Sequence, residues 1–194
     1  MEIGATKAVQ DRLKTTKIEE SKGASLVFCW DTHLTKIKGR NVLFIVNASN
    51  RYTIVMTDIE PRNWNYYTMY IRSVIHGVMQ EMGYSEDQIG QYFKMSGDTT
   101  VTKTHGRKSV GGINRMVMDA QYFGKKLEKE AKYQWELSEY LNRDICQPEG
   151  FDAYGYPSEL FKLDMERLGI AAKREPAKVI DFAQYMENNR STND

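Results

Sequence analysis

The sequence has few of the residues from which metal centres and disulfide frameworks are built. Its 194 residues include two cysteines, three histidines and four prolines. No Cys-x-x-Cys, His-x-x-x-His or His-Glu-x-x-His spacing occurs, so nothing indicates a zinc motif or a disulfide scaffold. Cys29 lies in the apolar run 26–30, where we expect a small buried side chain rather than a nucleophile. We therefore predict neither a metal nor a cofactor.

Long hydrophobic runs and an excess of one charge are lacking as well. Apolar stretches such as 42–46 are far too short to cross a bilayer, and residues 1–6 have neither the basic nor the apolar region of a secretion signal. The 27 Lys and Arg nearly balance the 26 Asp and Glu, which leaves a formal net charge of +1 and no global attraction to nucleic acid. These features predict a cytoplasmic protein that does not associate with membranes.

Complete catalytic signatures are also missing. The chain contains no Gly-x-Ser-x-Gly elbow, no phosphate-binding Gly-x-x-x-x-Gly-Lys-Ser/Thr loop and no Gly-x-Gly-x-x-Gly turn. A small hydrolase or nuclease would need His33 or His105 as a general base beside an aspartate, and the aspartates available for this are Asp31, Asp58 and Asp98. An enzyme is therefore an alternative and not the leading interpretation.

Short β-prone segments dominate the first third of the chain. We predict a short strand at the N-terminus, another at 99–104, and four between them at 26–30, 32–38, 42–47 and 52–59. The breaks between the four, the first of them at Asp31, are so short that they indicate antiparallel hairpins. The continuously apolar stretch 42–46 is typical of a central strand covered on both faces.

Helical periodicity is clear in the rest of the chain. Ser85 and Gln88 have the spacing of a capping box and indicate a helix start. Apolar residues three and four apart predict helices over 7–14, 62–82, 85–96, from about 109 into the 130s, from 157 to about 168, and over 176–186. The expected fold is α+β: an antiparallel sheet of about five to six strands with helices packed on one face, plus a helical C-terminal extension.

Composition changes after Gly124, where the sequence becomes rich in Lys and Glu. We therefore predict an α+β core domain over residues 1–124 and a helical extension over 125–194. The extension would pack on the core or swap to another subunit.

A basic segment at 103–109 is the most suggestive local feature. Its potential cations lie on a turn that leads into a helix, and further polar residues follow one to two turns later: Lys103, His105, Arg107, Lys108, Asn114 and Arg115. Such a segment suits phosphate contacts or an acidic partner surface, and a solvated loop beside a salt-bridged helix is the alternative. The 12 Tyr and 3 Trp add side chains that are favoured in protein interfaces and in base stacking.

Several short stretches carry a family resemblance. They are Thr6-Lys7 with Leu13, Phe28-x-Trp30, His33-Leu34, Arg40-Asn41-Val42-Leu43, Val46-Asn47, Arg51-Tyr52-Thr53-Ile54-Val55, Thr102-Lys103-Thr104, Arg107-Lys108 and Asn114. Through them residues 1–123 resemble an uncharacterised bacterial domain-of-unknown-function family, whose members occur alone or fused to a domain first noted in a plasmid reading frame. The resemblance implies a link to mobile elements and no particular activity.

The polar motif positions of this resemblance point to one candidate face. Together with the basic segment they give the predicted partner- or nucleic-acid-binding residues Lys103, His105, Arg107, Lys108, Asn114, Arg115, Asn47 and Arg51. For Asn47 and Arg51 the alternative, that they only build a hairpin turn, stays open.

We expect a non-enzymatic binding or regulatory protein of a bacterium, phage or mobile element. Its partner would be a nucleic acid or a nucleic-acid-handling protein, and one specific form is an inhibitor of a defence nuclease of the anti-CRISPR type. The alternatives are the hydrolase or nuclease described above and a toxin–antitoxin or oligomeric scaffold component, which leaves a homodimer open.

Overall fold

A computed structural model describes residues 1–15 and 18–173. In these residues five strands form one sheet in the order β4-β3-β2-β1-β5. The strands are β1 Glu2–Ala5, β2 Cys29–Ile37, β3 Arg40–Asn47, β4 Thr53–Thr57 and β5 Thr100–Thr102. β2, β3 and β4 pair antiparallel, whereas β1 runs parallel to both β2 and β5. The α+β class is confirmed, but the sheet is mixed, so the prediction of an antiparallel sheet is wrong on its β1 side.

Parallel pairing of β1 follows from the long connection after it. The helix α1, Lys7–Leu13, and a single 3-10 turn, Leu26–Phe28, lie between β1 and β2. Such a connection lets the chain return to the same end of the sheet before the next strand starts, which a hairpin cannot do. The predicted break at Asp31 does not exist, because β2 continues through this residue.

Seven helices surround the sheet in the described residues. They are α1 Lys7–Leu13, α2 Pro61–Asn65, α3 Tyr67–Glu81, α4 Glu86–Ser96, α5 Arg107–Tyr122, α6 Trp135–Asn142 and α7 Pro157–Arg167. The capping box is confirmed, since the Ser85 hydroxyl accepts from the Gln88 backbone and Gln88 Oε1 accepts from the Ser85 backbone.

Two predicted helices differ in extent, and one lies outside the described residues. The helix expected over 62–82 is interrupted at Tyr66, whose φ of −116° and ψ of 40° are not helical. The helix expected to reach the 130s stops at Tyr122, because Phe123 turns to extended backbone and its side chain enters a core. The helix predicted over 176–186 lies outside the described residues.

The helices cover both faces of the sheet. Alternate residues of β3 point to opposite faces, so that Leu43 and Ile45 join a core with α3, α4 and α7, while Phe44 joins a second core with α5 and α6. The expectation of helices on one face only is therefore wrong. The expectation that 42–46 is an inner strand covered on both sides is confirmed.

The helices after residue 124 share these cores. Leu137 and Leu141 of α6 lie in the second core, and Phe161 and Met165 of α7 lie in the first. The division into 1–124 and 125–194 stays a prediction. No helix in the described part of the chain is long and apolar enough to cross a membrane.

Candidate functional site

The predicted site residues near the β3–β4 turn have structural contacts. Asn47 is buried, its side-chain amide donates to the carbonyl of Val27, and its side-chain oxygen accepts from two backbone amides of the turn. Arg51 has a φ of 63° and lies so close to α5 that a Cβ on Gly112 would be 2.8 Å from its Nε. The Arg51 backbone N–H donates to the Asn47 carbonyl at 3.0 Å, so both residues take part in the hairpin turn, and their role in binding stays a prediction.

Most cations of the basic segment are paired within the protein. Lys103 is bonded to Glu20, and Arg115 Nε lies 2.9 Å from Asp119 Oδ2. Lys108 Nζ donates to the carbonyl of Pro148 at 3.2 Å. Arg107 and Asn114 are exposed. The segment thus has the surface contacts expected of the salt-bridged alternative, and its role in partner or nucleic-acid binding stays a prediction.

His105 is separate from this surface and belongs to a buried polar cluster. Its side chain is 3% exposed. Its Nδ1 is 2.7 Å from Asp31 Oδ1 and its Nε2 is 2.9 Å from Glu2 Oε2. Asp31 also accepts from the His105 backbone N–H at 3.1 Å and from the Ser109 hydroxyl, so both of its carboxylate oxygens accept hydrogen bonds.

The parallel pairing of β1 with β2 assembles this cluster. In that register Glu2 lies opposite Cys29 and Gly4 lies opposite Asp31, which places their side chains on the same face of the sheet. Gly4 leaves the room that the carboxylate needs, since a Cβ there would be only 1.8 Å from Asp31 Oδ1. His105 follows β5, whose pairing with the other edge of β1 brings it over these groups.

Both ring nitrogens of His105 face carboxylates, and this sets its charge. Burial alone would lower the pKa of the imidazole, but hydrogen bonds to Asp31 and Cys29 and the nearby negative charge raise the pKa of His105 to about 11. Burial likewise opposes ionisation of Glu2, yet hydrogen bonds from Ser21, His105 and Lys22 hold its pKa below the ordinary value. The cluster therefore holds an imidazolium between two carboxylates.

The groups named for a hydrolase are only partly brought together. Asp31 and His105 form the pair just described, in which neither ring nitrogen is free to take a substrate proton. His33 is instead bonded to the Thr6 hydroxyl through Nδ1 at 3.1 Å, and Asp58 is bonded to Arg40.

Two adjoining clefts open beside α5 and α6. The larger, of about 610 Å³, is lined by Arg115, Asp119, Phe123, Lys125, Trp135, Glu136, Glu139, Tyr140, Leu141, Arg143 and Asp144. The smaller, of about 360 Å³, is lined in part by Arg51, Arg115, Asp144, Ile145, Gln147 and Tyr154. Because Arg115 and Asp144 line both, the clefts form one continuous surface, which we call the α5–α6 face.

Large hydrophobic side chains are exposed on the α5–α6 face. Trp135, Tyr140, Ile145 and Tyr154 line the clefts, and Tyr154 is 70% exposed. Three ion pairs lie among them, Arg115 with Asp119, Lys125 with Glu136, and Arg143 with Glu139, and Arg51 and Asp144 add one charge of each sign. The face is thus rich in exposed apolar area and close to electrically balanced. The surplus of aromatics is visible in the sequence, but which of them are exposed depends on the packing of α5 and α6.

Comparison with known proteins places the chain in a family. The geometry defines an α+β protein with one mixed sheet, a buried histidine–carboxylate cluster and an apolar surface face. The chain belongs to DUF6933, a domain of unknown function whose match covers residues 2–160. This confirms the resemblance to a domain-of-unknown-function family and extends it past residue 123. Neither the curated proteins nor the solved structures contain a significant match.

Proposed function

We propose that this protein is a non-enzymatic binding or regulatory protein of a bacterium, phage or mobile element, and that its partner is a protein bound at the α5–α6 face. The observation that carries the proposal is the set of four exposed large hydrophobic side chains lining the two clefts, Trp135, Tyr140, Ile145 and Tyr154. Exposed Tyr and Trp beside a concave surface are the side chains that dominate binding energy in protein interfaces. Inhibition of a defence nuclease is the specific form that the proposal takes for a mobile-element protein.

The pairing of cations supports a protein partner over a nucleic acid. Binding to nucleic acid requires Lys and Arg that are free to neutralise phosphates, which releases the counterions held around the nucleic acid. Here Lys103 and Arg115 already have carboxylate partners, and Lys108 is bonded to a backbone carbonyl. A partner with its own apolar anchors suits the face better than a phosphate backbone.

The buried cluster supports a non-enzymatic role. A general base needs a ring nitrogen within reach of a substrate proton. The side chain of His105 is almost fully enclosed, and Asp31 and Glu2 occupy its two nitrogens.

Affinity capture with matched variants tests the proposal. The face variant combines Ile145→Lys with Tyr154→Ala. The control combines Met69→Lys on α3 with Tyr66→Ala at the break between α2 and α3, where Tyr66 is 66% exposed against 70% for Tyr154. Wild type and both variants are immobilised and exposed to a bacterial lysate, with and without nuclease.

We expect one protein to be retained by wild type and control, with or without nuclease, and to be lost by the face variant. Truncation of an interface anchor costs about 2 kcal/mol, which is about a 30-fold rise in Kd when binding of the isolated partner is measured. Loss of all partners after nuclease would instead indicate nucleic-acid binding. Equal retention by the face variant and wild type would contradict the assignment of the face.

A further inference from the structure

We propose that Glu2, Cys29 and His105 form a zinc site inside the fold. A carboxylate oxygen of Glu2, the Sγ of Cys29 and a ring nitrogen of His105 all lie within 4.8 Å of one another. The three residues come from β1, from β2 and from the turn after β5, so that no spacing in the sequence reveals them. The absence of a zinc motif led us to predict no metal, and the fold assembles the ligands from distant segments.

The chemistry of the three groups favours zinc. Thiolate and imidazole are the ligands that Zn²⁺ prefers, and a single carboxylate oxygen commonly completes such a set. A purely structural ion pair would need no thiol beside the imidazole, yet Cys29 supplies one. Calcium and magnesium are disfavoured, because they take oxygen ligands rather than sulfur and nitrogen.

Additional hydrogen bonds hold two of the ligands, His105 and Glu2, in orientations suited to coordination. His105 Nδ1 is bonded to Asp31 at 2.7 Å, which leaves Nε2 as the coordinating atom, and such carboxylate–histidine pairs are typical behind metal-bound histidines. Glu2 Oε1 accepts from the Lys22 backbone at 2.8 Å, which leaves Oε2 to face His105. Two of the three ligands are therefore positioned by groups that do not compete with the metal.

Zinc binding requires the ligand atoms, which all lie within 4.8 Å of one another, to adjust their spacing. With bond lengths of about 2.0–2.3 Å and tetrahedral angles, the ligand atoms of a zinc ion are roughly 3.3–3.6 Å apart. Glu2 Oε2 and His105 Nε2 are 2.9 Å apart, so these two atoms must separate by roughly 0.4 Å. The carbonyl oxygen of Ser25, 3.5 Å from Cys29 Sγ, lies beside the site, and it or a water supplies a fourth ligand.

Zinc binding at this site is balanced by the release of two protons. As Zn²⁺ enters, the proton between His105 Nε2 and Glu2 leaves for solvent, and so does the thiol proton of Cys29. Two positive charges leave and two enter, so the net charge of this buried region does not change. The ion would tie β1, β2 and the turn after β5 together, which is a structural role independent of the α5–α6 face.

Cobalt substitution tests the site in the full chain. The protein is purified with chelator, dialysed and titrated with Co²⁺, whose bond to a thiolate gives a near-ultraviolet charge-transfer absorption. We expect one Co²⁺ per chain with this absorption, displaced by Zn²⁺. Cys29→Ser should abolish the absorption, while the matched variant Cys146→Ser, at the other buried free cysteine, should keep it.

Asp31→Asn distinguishes a positioning residue from a ligand. It should weaken zinc binding by about 10- to 100-fold while keeping the thiolate absorption. The proposal is overturned if wild type binds no Co²⁺ or Zn²⁺, if the absorption survives in Cys29→Ser, or if it is lost in Cys146→Ser.

A measurement on wild type guards against variants that do not fold. X-ray absorption of the zinc-loaded protein should show one sulfur at about 2.3 Å with nitrogen and oxygen at about 2.0–2.2 Å. A shell of oxygen and nitrogen alone would refute the site.

Discussion

Replacing Asp31 with Asn is the substitution whose effect the structure defines most sharply. Asp31 is fully buried and accepts from the His105 ring, the His105 backbone and the Ser109 hydroxyl. An amide of the same shape keeps one acceptor but turns an NH₂ group toward one of these donors. The imidazolium also loses one of its two countercharges, with only Glu2 remaining.

The expected cost is set by the broken buried pair. Removing one partner of a buried ion pair lowers the free energy of unfolding by about 3–5 kcal/mol, because the other charge is left uncompensated. The Ser109 hydroxyl can rotate to accept from the new amide, so we expect a loss at the lower end of this range, about 3 kcal/mol. With a urea dependence of about 2 kcal/mol/M, the unfolding midpoint should fall by about 1.5 M.

Urea unfolding followed by tryptophan fluorescence measures this loss, since Trp30 and Trp64 are buried. Chelator is present throughout, so that the ion pair is measured without metal. Asp58→Asn is the matched control, because Asp58 is bonded to Arg40 at the surface and its loss should cost less than about 1 kcal/mol. Equal midpoint losses in the two variants would refute the reasoning.

Two further substitutions address the surroundings of the cluster. Gly4→Ala should lower the free energy of unfolding by at least about 3 kcal/mol, since its Cβ would overlap the Asp31 carboxylate. Gly90→Ala, in α4 with nothing within 4 Å of its Cβ, should raise the free energy of unfolding by about 0.5–1 kcal/mol. Urea midpoints that do not move in opposite directions would contradict this pair of predictions. Burial lowers the pKa of His33, so the unfolded chain takes up more protons below pH 6.5, and the wild type should lose stability as the pH falls from there through the folded-state pKa. The His33→Gln variant should lose less stability than the wild type between about pH 7 and pH 5. Melting temperatures that fall equally in the variant and the wild type would contradict this prediction.

Features set by neighbours in the chain could be predicted from the sequence. The capping box at Ser85 depends on side chains within one helical turn. Arg115 and Asp119 also form a pair four residues apart, which the sequence displays directly.

Features set by distant partners could not be predicted. Asp is rare in strands, so Asp31 indicated a turn, yet the strand continues because His105, 74 residues later, compensates the buried carboxylate. Lys103 belongs to a visible basic segment, but its partner Glu20 lies 83 residues earlier. The position of β1 between β2 and β5 likewise depends on pairing that no local pattern encodes.

Site-specific photo-crosslinking shows directly whether the α5–α6 face binds a protein. A photoreactive amino acid replaces Tyr154 in one protein and the equally exposed Tyr66 in another, and both are irradiated in bacterial cells. We expect a discrete protein adduct from position 154 that position 66 does not give and that Ile145→Lys suppresses. The same adduct from both positions, or crosslinks to nucleic acid alone from position 154, would contradict it.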